Sequence, residues 1–130
     1  MRGEKTRMMP LRMLVLSLTG DCNLACRYCY ASEQDTRMMT WETARRAIDL
    51  AAEGGVPFIL QLSGGEPLLA LPLLVQIADY VRGNHIRARM DIQTNGTLIS
   101  DEAADFLCDA RIGVGVSLDG RPSVHDALRR

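Results

Sequence analysis

Three cysteines crowd into eight residues, Cys22-Asn23-Leu24-Ala25-Cys26-Arg27-Tyr28-Cys29, in a C-x3-C-x2-C pattern. Three thiolates on one short loop can each reach a different iron of a cubane cluster. Such clusters usually take four cysteines. A group of three leaves one iron free for an exchangeable ligand, as catalytic metal sites keep an open position. Two alternatives stand beside this reading. A structural zinc site wants four tetrahedral ligands, and no fourth Cys or His is near, since His85 and His125 are distant in sequence. A redox pair of Cys26 and Cys29 leaves Cys22 without a role.

Three more segments could supply polar or close-approach backbone groups. They are Ser63-Gly64-Gly65-Glu66-Pro67, Gln93-Thr94-Asn95-Gly96 and Ser117-Leu118-Asp119-Gly120. Each has a plain structural explanation: a strand-to-helix turn at Gly64-Gly65, a helix start at Glu66-Pro67, and turns at Asn95-Gly96 and Asp119-Gly120. Ser117 is a better candidate than Asp119 for a ligand contact. The fourth cysteine, Cys108, sits beside Phe106 and Leu107 on a helical stretch, where a lone thiol is expected to be a small buried hydrophobe. The Met8-Met9 and Met38-Met39 pairs read as packing or loop residues, and His125 with Arg129-Arg130 as a solvated continuation.

The elements that must position these groups alternate along the chain. Residues 12–19 form an apolar run ending in Thr-Gly-Asp, a strand and a turn. Thr40 caps a helix from Trp41 whose apolar residues, Trp41, Ala44, Ala47, Ile48 and Ala51, recur at helical spacing until Gly54-Gly55. Phe58 to Leu62 is a second strand. Pro72 suits the first turn of the next helix, faced by Leu73, Leu74, Ile77, Tyr80 and Val81 and ended by Gly83-Asn84. A third strand alternates through Ile86, Ala88, Met90 and Ile92 to Gln93. Ser100 caps a helix over 101–109, and 112–118 is the fourth strand.

Strands separated by helices of this length imply right-handed crossovers and a parallel sheet. In such folds the loops at the carboxyl ends of strands form the ligand site. The cysteine loop, Gly64 to Glu66, Thr94 to Gly96, and Ser117 to Gly120 all follow strands. They are therefore expected to meet at one rim.

Composition sets the outer bounds. The chain has 130 residues, 47% hydrophobic and 24% charged, and residues 1–130 read as one α/β domain. Fifteen basic against sixteen acidic residues argue against nucleic-acid binding. No apolar run approaches the ~20 residues of a membrane span. No signal peptide is evident, so a cytoplasmic location is expected. Clustered rather than dispersed cysteines argue against a secreted disulfide scaffold.

The four motifs, in this order and spacing, resemble the radical S-adenosylmethionine (SAM) superfamily over about residues 11 to 128. Tyr28 and Tyr30 flanking Cys29, and the spelling of the later motifs, resemble its peptide- and protein-modifying branch, which includes anaerobic sulfatase maturases and other SPASM-type enzymes. The resemblance implies a partial (βα) TIM-like barrel. Only four βα units are evident here against six strands in the familiar core, so a C-terminally incomplete core domain is expected, with activity of this polypeptide alone in question.

The resemblance also implies roles. Cys22, Cys26 and Cys29 would ligate a [4Fe-4S] cluster whose open iron SAM chelates. Reductive cleavage of SAM would release methionine and a 5′-deoxyadenosyl radical that removes hydrogen from a peptide or protein substrate. Tyr28 would pack near the adenine. Ser63, Gly64, Gly65 and Glu66 would receive the methionine amino group, and Ser117 would lie near the ribose. Gln93, Thr94 and Asn95 would line the rim. The electron would come from a donor such as flavodoxin or ferredoxin. The competing expectations are a remnant that binds cluster or SAM without activity, and a small zinc or dithiol protein.

Overall fold

A computed structural model describes residues 9–26 and 37–129. Tyr28, Tyr30 and Cys29 lie outside the described residues, as does Met8. Four strands, β1 (Met13–Ser17), β2 (Phe58–Ser63), β3 (Ala88–Thr94) and β4 (Gly113–Val116), form one sheet in the order β1-β2-β3-β4. Every neighbouring pair is parallel. Helices α1 (Trp41–Ala52), α2 (Leu71–Gly83) and α3 (Asp101–Asp109) make the crossovers. This is the partial (βα) barrel with four parallel strands that the motif order implies.

Local chemistry accounts for the helix limits. The Thr40 hydroxyl accepts from Thr43 N at 3.2 Å and the Ser100 hydroxyl from Ala103 N at 3.1 Å, each supplying a partner for an otherwise unpaired first-turn N–H. Asp101 and Glu102 add negative charge at the positive end of α3. The chain leaves α2 and α3 through left-handed residues. These are His85 (φ 51°), just after the expected Gly83-Asn84 end of α2, and Arg111 (φ 54°).

Register puts Leu16, Leu62 and Ile92 in one row across the sheet, with Leu14, Leu60 and Met90 in the row two residues before. Against these pack Ala44, Ile48 and Ala51 of α1, Leu73, Leu74 and Ile77 of α2, and Leu107 of α3, forming one core. Burial of a Leu or Ile side chain here contributes about 1.5–3 kcal/mol. Trp41 and Tyr80 join α1 to α2 edge to face, with centroids 5.2 Å apart, and Tyr80 also donates to Asp49.

Side-chain alternation directs the opposite set to the uncovered face of the sheet: Val15, Gln61, Asp91 and Gly113 share a row there. Two expectations are corrected. Cys108 is exposed, because Ala103 and Leu107 occupy the buried side of α3 and the next residue turns about 100° away. The tail beyond β4 is a helix, α4 (Pro122–Leu128), with Pro122 in its first turn. Among the described residues no helix is long and apolar enough to cross a membrane.

Candidate functional site: a rim of loops after the strands

The cysteine loop leaves and returns at one point. Thr19 pairs with Met38 in an isolated antiparallel bridge, and Met39 N donates to Leu18 O at 2.7 Å. Its first residues dock on the loop after β2. Gly65 N donates to Thr19 O at 2.7 Å and Glu66 N to Asp21 O at 2.8 Å. Here the glycines are required. A Cβ on Gly64 (φ 140°) would lie 2.4 Å from Thr19 O, and one on Gly65 would lie 2.0 Å from Asp21 O. The chain's own backbone thus makes a close approach to both glycines.

Glu66 ties this corner to β3. Its carboxylate accepts from Leu68 N (3.2 Å) and Thr94 Oγ1 (2.6 Å) on Oε1, and from Asn95 N (2.8 Å) on Oε2. The first of these bonds caps the 3-10 turn Pro67–Ala70. A carboxylate has about four acceptor positions, so one on Oε2 is left. Ser63 lies half-buried at the end of β2, and its carbonyl accepts from Leu18 N at 2.9 Å.

The loop after β3 reaches back to the cysteines. Asn95 Nδ2 donates to Asn23 Oδ1 at 2.8 Å and approaches Cys22 Sγ at 3.9 Å, while Asn23 Nδ2 donates to Thr97 Oγ1 at 2.7 Å. Leu24 N donates to Cys22 Sγ at 3.4 Å. From β4, Ser117 N donates to Thr94 O at 3.0 Å and the Ser117 hydroxyl accepts from Gln93 Nε2 at 2.8 Å. Asp119 and α4 complete the circuit. Asp119 N donates to His125 Nδ1 at 3.3 Å, Arg129 Nε donates to Asp119 Oδ2 at 2.7 Å, and Arg129 Nη1 lies 4.0 Å from Cys26 Sγ.

The structure thus brings Cys22, Cys26, Ser63 to Glu66, Gln93 to Asn95 and Ser117 to the carboxyl ends of four adjacent strands. Tyr28 and Cys29 lie outside the described residues. Cys108 is on the surface of α3. Sequence reasoning missed Asn23, Thr97, His125 and Arg129, and took the last two for a solvated tail. Their one signal was Pro122, a helix-starting residue just after the Asp119-Gly120 turn.

Both described loop thiols are free and half-buried, and N–H groups approach each sulfur. Soft thiolates with N–H donors fit an iron–sulfur cluster. Among the described residues no group of three or more His, Cys, Asp and Glu forms a competing metal site.

Comparisons with known proteins agree with this geometry. The chain is 42% identical over 126 residues to GTP 3',8-cyclase of Parasynechococcus marenigrum, covering 88% of this chain and 35% of the cyclase. It is 32% identical over 137 residues to the cysteine-type anaerobic sulfatase-maturating enzyme of Clostridium perfringens, covering 95% of this chain and 36% of the enzyme. The solved structure of native anSMEcpe with bound AdoMet superposes with a TM-score of 0.82 at 29% identity, over 93% of this chain and 35% of that one. The chain spans about a third of the length of these relatives. The radical SAM superfamily pattern matches residues 16–130, and with the rim geometry this places the chain in the radical SAM superfamily, whose members use SAM and a [4Fe-4S] cluster.

Proposed function

We propose that this chain is the cluster- and SAM-binding part of a radical SAM enzyme acting on a peptide or protein. The observation that carries the reading is the meeting of Cys22 and Cys26 with the Gly64-Gly65-Glu66 corner, Asn95 and Ser117 at one rim. Cys22, Cys26 and Cys29 hold the cluster. When bound, it supplies one electron for reductive cleavage of SAM, which leads to hydrogen abstraction from the substrate. The electron comes from a reduced flavodoxin or ferredoxin.

The remaining residues bind and orient SAM. Ser63, Gly64, Gly65 and Glu66 receive the methionine ammonium, with Oε2 of Glu66 the carboxylate oxygen that has capacity left. Ser117, oriented by Gln93, meets the ribose, and Tyr28 packs near the adenine. A peptide substrate is supported by the solved structure of anSMEcpe with AdoMet and the Cp18Cys peptide, at 29% identity. The 42% identity to GTP 3',8-cyclase supports a second reading in which the substrate is a nucleotide.

Anaerobic reconstitution tests the proposal. Iron and acid-labile sulfide should load onto the parent chain and be lost in Cys22→Ala, Cys26→Ala and Cys29→Ala, since three ligands leave no spare. SAM and a reductant should then yield 5′-deoxyadenosine. Cluster uptake without SAM cleavage would select a binding module that needs a further polypeptide segment. One zinc with no sulfide would overturn the reading.

A further inference from the structure

Two distant side chains approach the cysteine sulfurs, and each is held in place by other partners. Asn95 sits after β3. Its Oδ1 accepts from Thr97 N at 3.0 Å and from Thr97 Oγ1 at 2.8 Å. A main-chain N–H must meet an acceptor, so the Oδ1 end is fixed there and the NH2 end faces Asn23 and Cys22. Asn95 N donates to Glu66, which anchors the residue from behind. Arg129, at the end of α4, is held through Nε by Asp119, the two side chains being 16% and 21% exposed. Its Nη1 lies 4.0 Å from Cys26 Sγ.

We propose that Asn95 and Arg129 are positioning residues for the iron–sulfur site, N–H donors from just after β3 and just after α4 that hold Cys22 and Cys26 and make the bound cluster easier to reduce. The inference rests on the cluster reading above and adds to it a control of potential. Reduction adds one electron and makes the thiolate-bound cluster more negative. Hydrogen bonds to its sulfurs and a fixed cation favour that state, and such bonds are among the factors that set cluster potentials. Arg129 stays protonated at all accessible pH, so its charge is permanent. Leu24 N serves Cys22 from within its own loop, whereas Asn95 and Arg129 make the same property depend on the loops after β3 and β4.

The test uses the whole 130-residue chain, reconstituted anaerobically, with iron and sulfide content and circular dichroism measured beside an EPR-monitored redox titration. Arg129→Gln and Asn95→Ala should load iron as the parent does. Each should disfavour reduction by about tenfold, which is ~59 mV for a one-electron couple. Asn95→Asp, which replaces the donor with an anion at constant size, should fall further. Arg129→Lys keeps the charge and should stay within about threefold of the parent. A folded variant that cannot load iron at all would overturn the control of potential and make these residues part of cluster assembly instead. Equal iron content and an equal potential in all four variants would overturn it while leaving the cluster reading intact. A parent chain that takes up neither iron nor sulfide would overturn both.

Discussion

Thr94 Oγ1 donates to Glu66 Oε1 across 2.6 Å, and neither residue is more than 2% exposed. Glu66 also accepts from two main-chain N–H groups, so one carboxylate holds the 3-10 turn after β2 and the loop after β3 together. Replacing it with Ala would strand the buried Leu68 N–H and Thr94 hydroxyl and the half-buried Asn95 N–H. Glu66→Ala should destabilise the chain by about 2–4 kcal/mol in urea denaturation. Glu66→Gln keeps the shape and should cost less. Equal unfolding midpoints for Glu66→Ala and the parent would refute this bracing role.

The two glycines before Glu66 should be far less replaceable than Gly55, the second of the pair that follows α1. Gly65→Ala places a methyl group against the Asp21 carbonyl and must push the cysteine loop off the β2 corner. It should lower both stability and iron uptake. Gly55→Ala meets only open space at φ 66°. It should cost about 1–2 kcal/mol in backbone strain and leave iron uptake unchanged.

Tyr80 donates to Asp49, and that hydrogen bond, with burial and then the Asp49 charge, raises its pKa above the ordinary tyrosine value. A raised folded-state pKa means that this contribution is complete below the unfolded tyrosine value. It is lost as pH climbs through the folded one. Urea midpoints between about pH 9 and about pH 11 should therefore fall more steeply in the parent than in Tyr80→Phe. Parallel slopes would rule out the clasp between α1 and α2 as a source of stability.

Cys108 is exposed on α3, whereas Cys22 and Cys26 are half-buried. Cys108→Ser should shift stability by no more than about 0.5 kcal/mol and leave iron content as it was. In the native chain without metal, iodoacetamide should label Cys108 before the half-buried Cys22 and Cys26, as peptide mass spectrometry would record.

Signals contained within a few residues were readable in advance. Ser100 capping 101–109 and Thr40 opening a helix at Trp41 need only their own turn, and both helices start where expected. Strand ends were less legible. The runs 12–19 and 112–118 shrink to Met13–Ser17 and Gly113–Val116, because pairing with a neighbour, not apolar character, sets where a ladder stops. Helix α4 escaped notice because it buries no residue and so carries no apolar stripe. The approach of Arg129 to Cys26 spans 103 positions and has no local trace at all. For the glycines, a need for close approach was legible, but their contact with the backbone of Thr19 to Asp21 comes from a distant segment and was not.

Strand β4 has one more consequence. A Cβ on Gly113 would lie 2.4 Å from Asp91 Oδ1, and one on Gly115 would lie 2.5 Å from Gln93 Oε1, so the β3 side chains lean across ground that β4 leaves bare. Two strands thus share a single layer of side chains on the uncovered face. Positions 91 and 113, and likewise 93 and 115, are coupled sterically. A methyl group at either glycine would push the end of its β3 neighbour aside, so the effects of changes at the two positions should not simply add. Anyone redesigning this surface would have to treat the two strands as one unit.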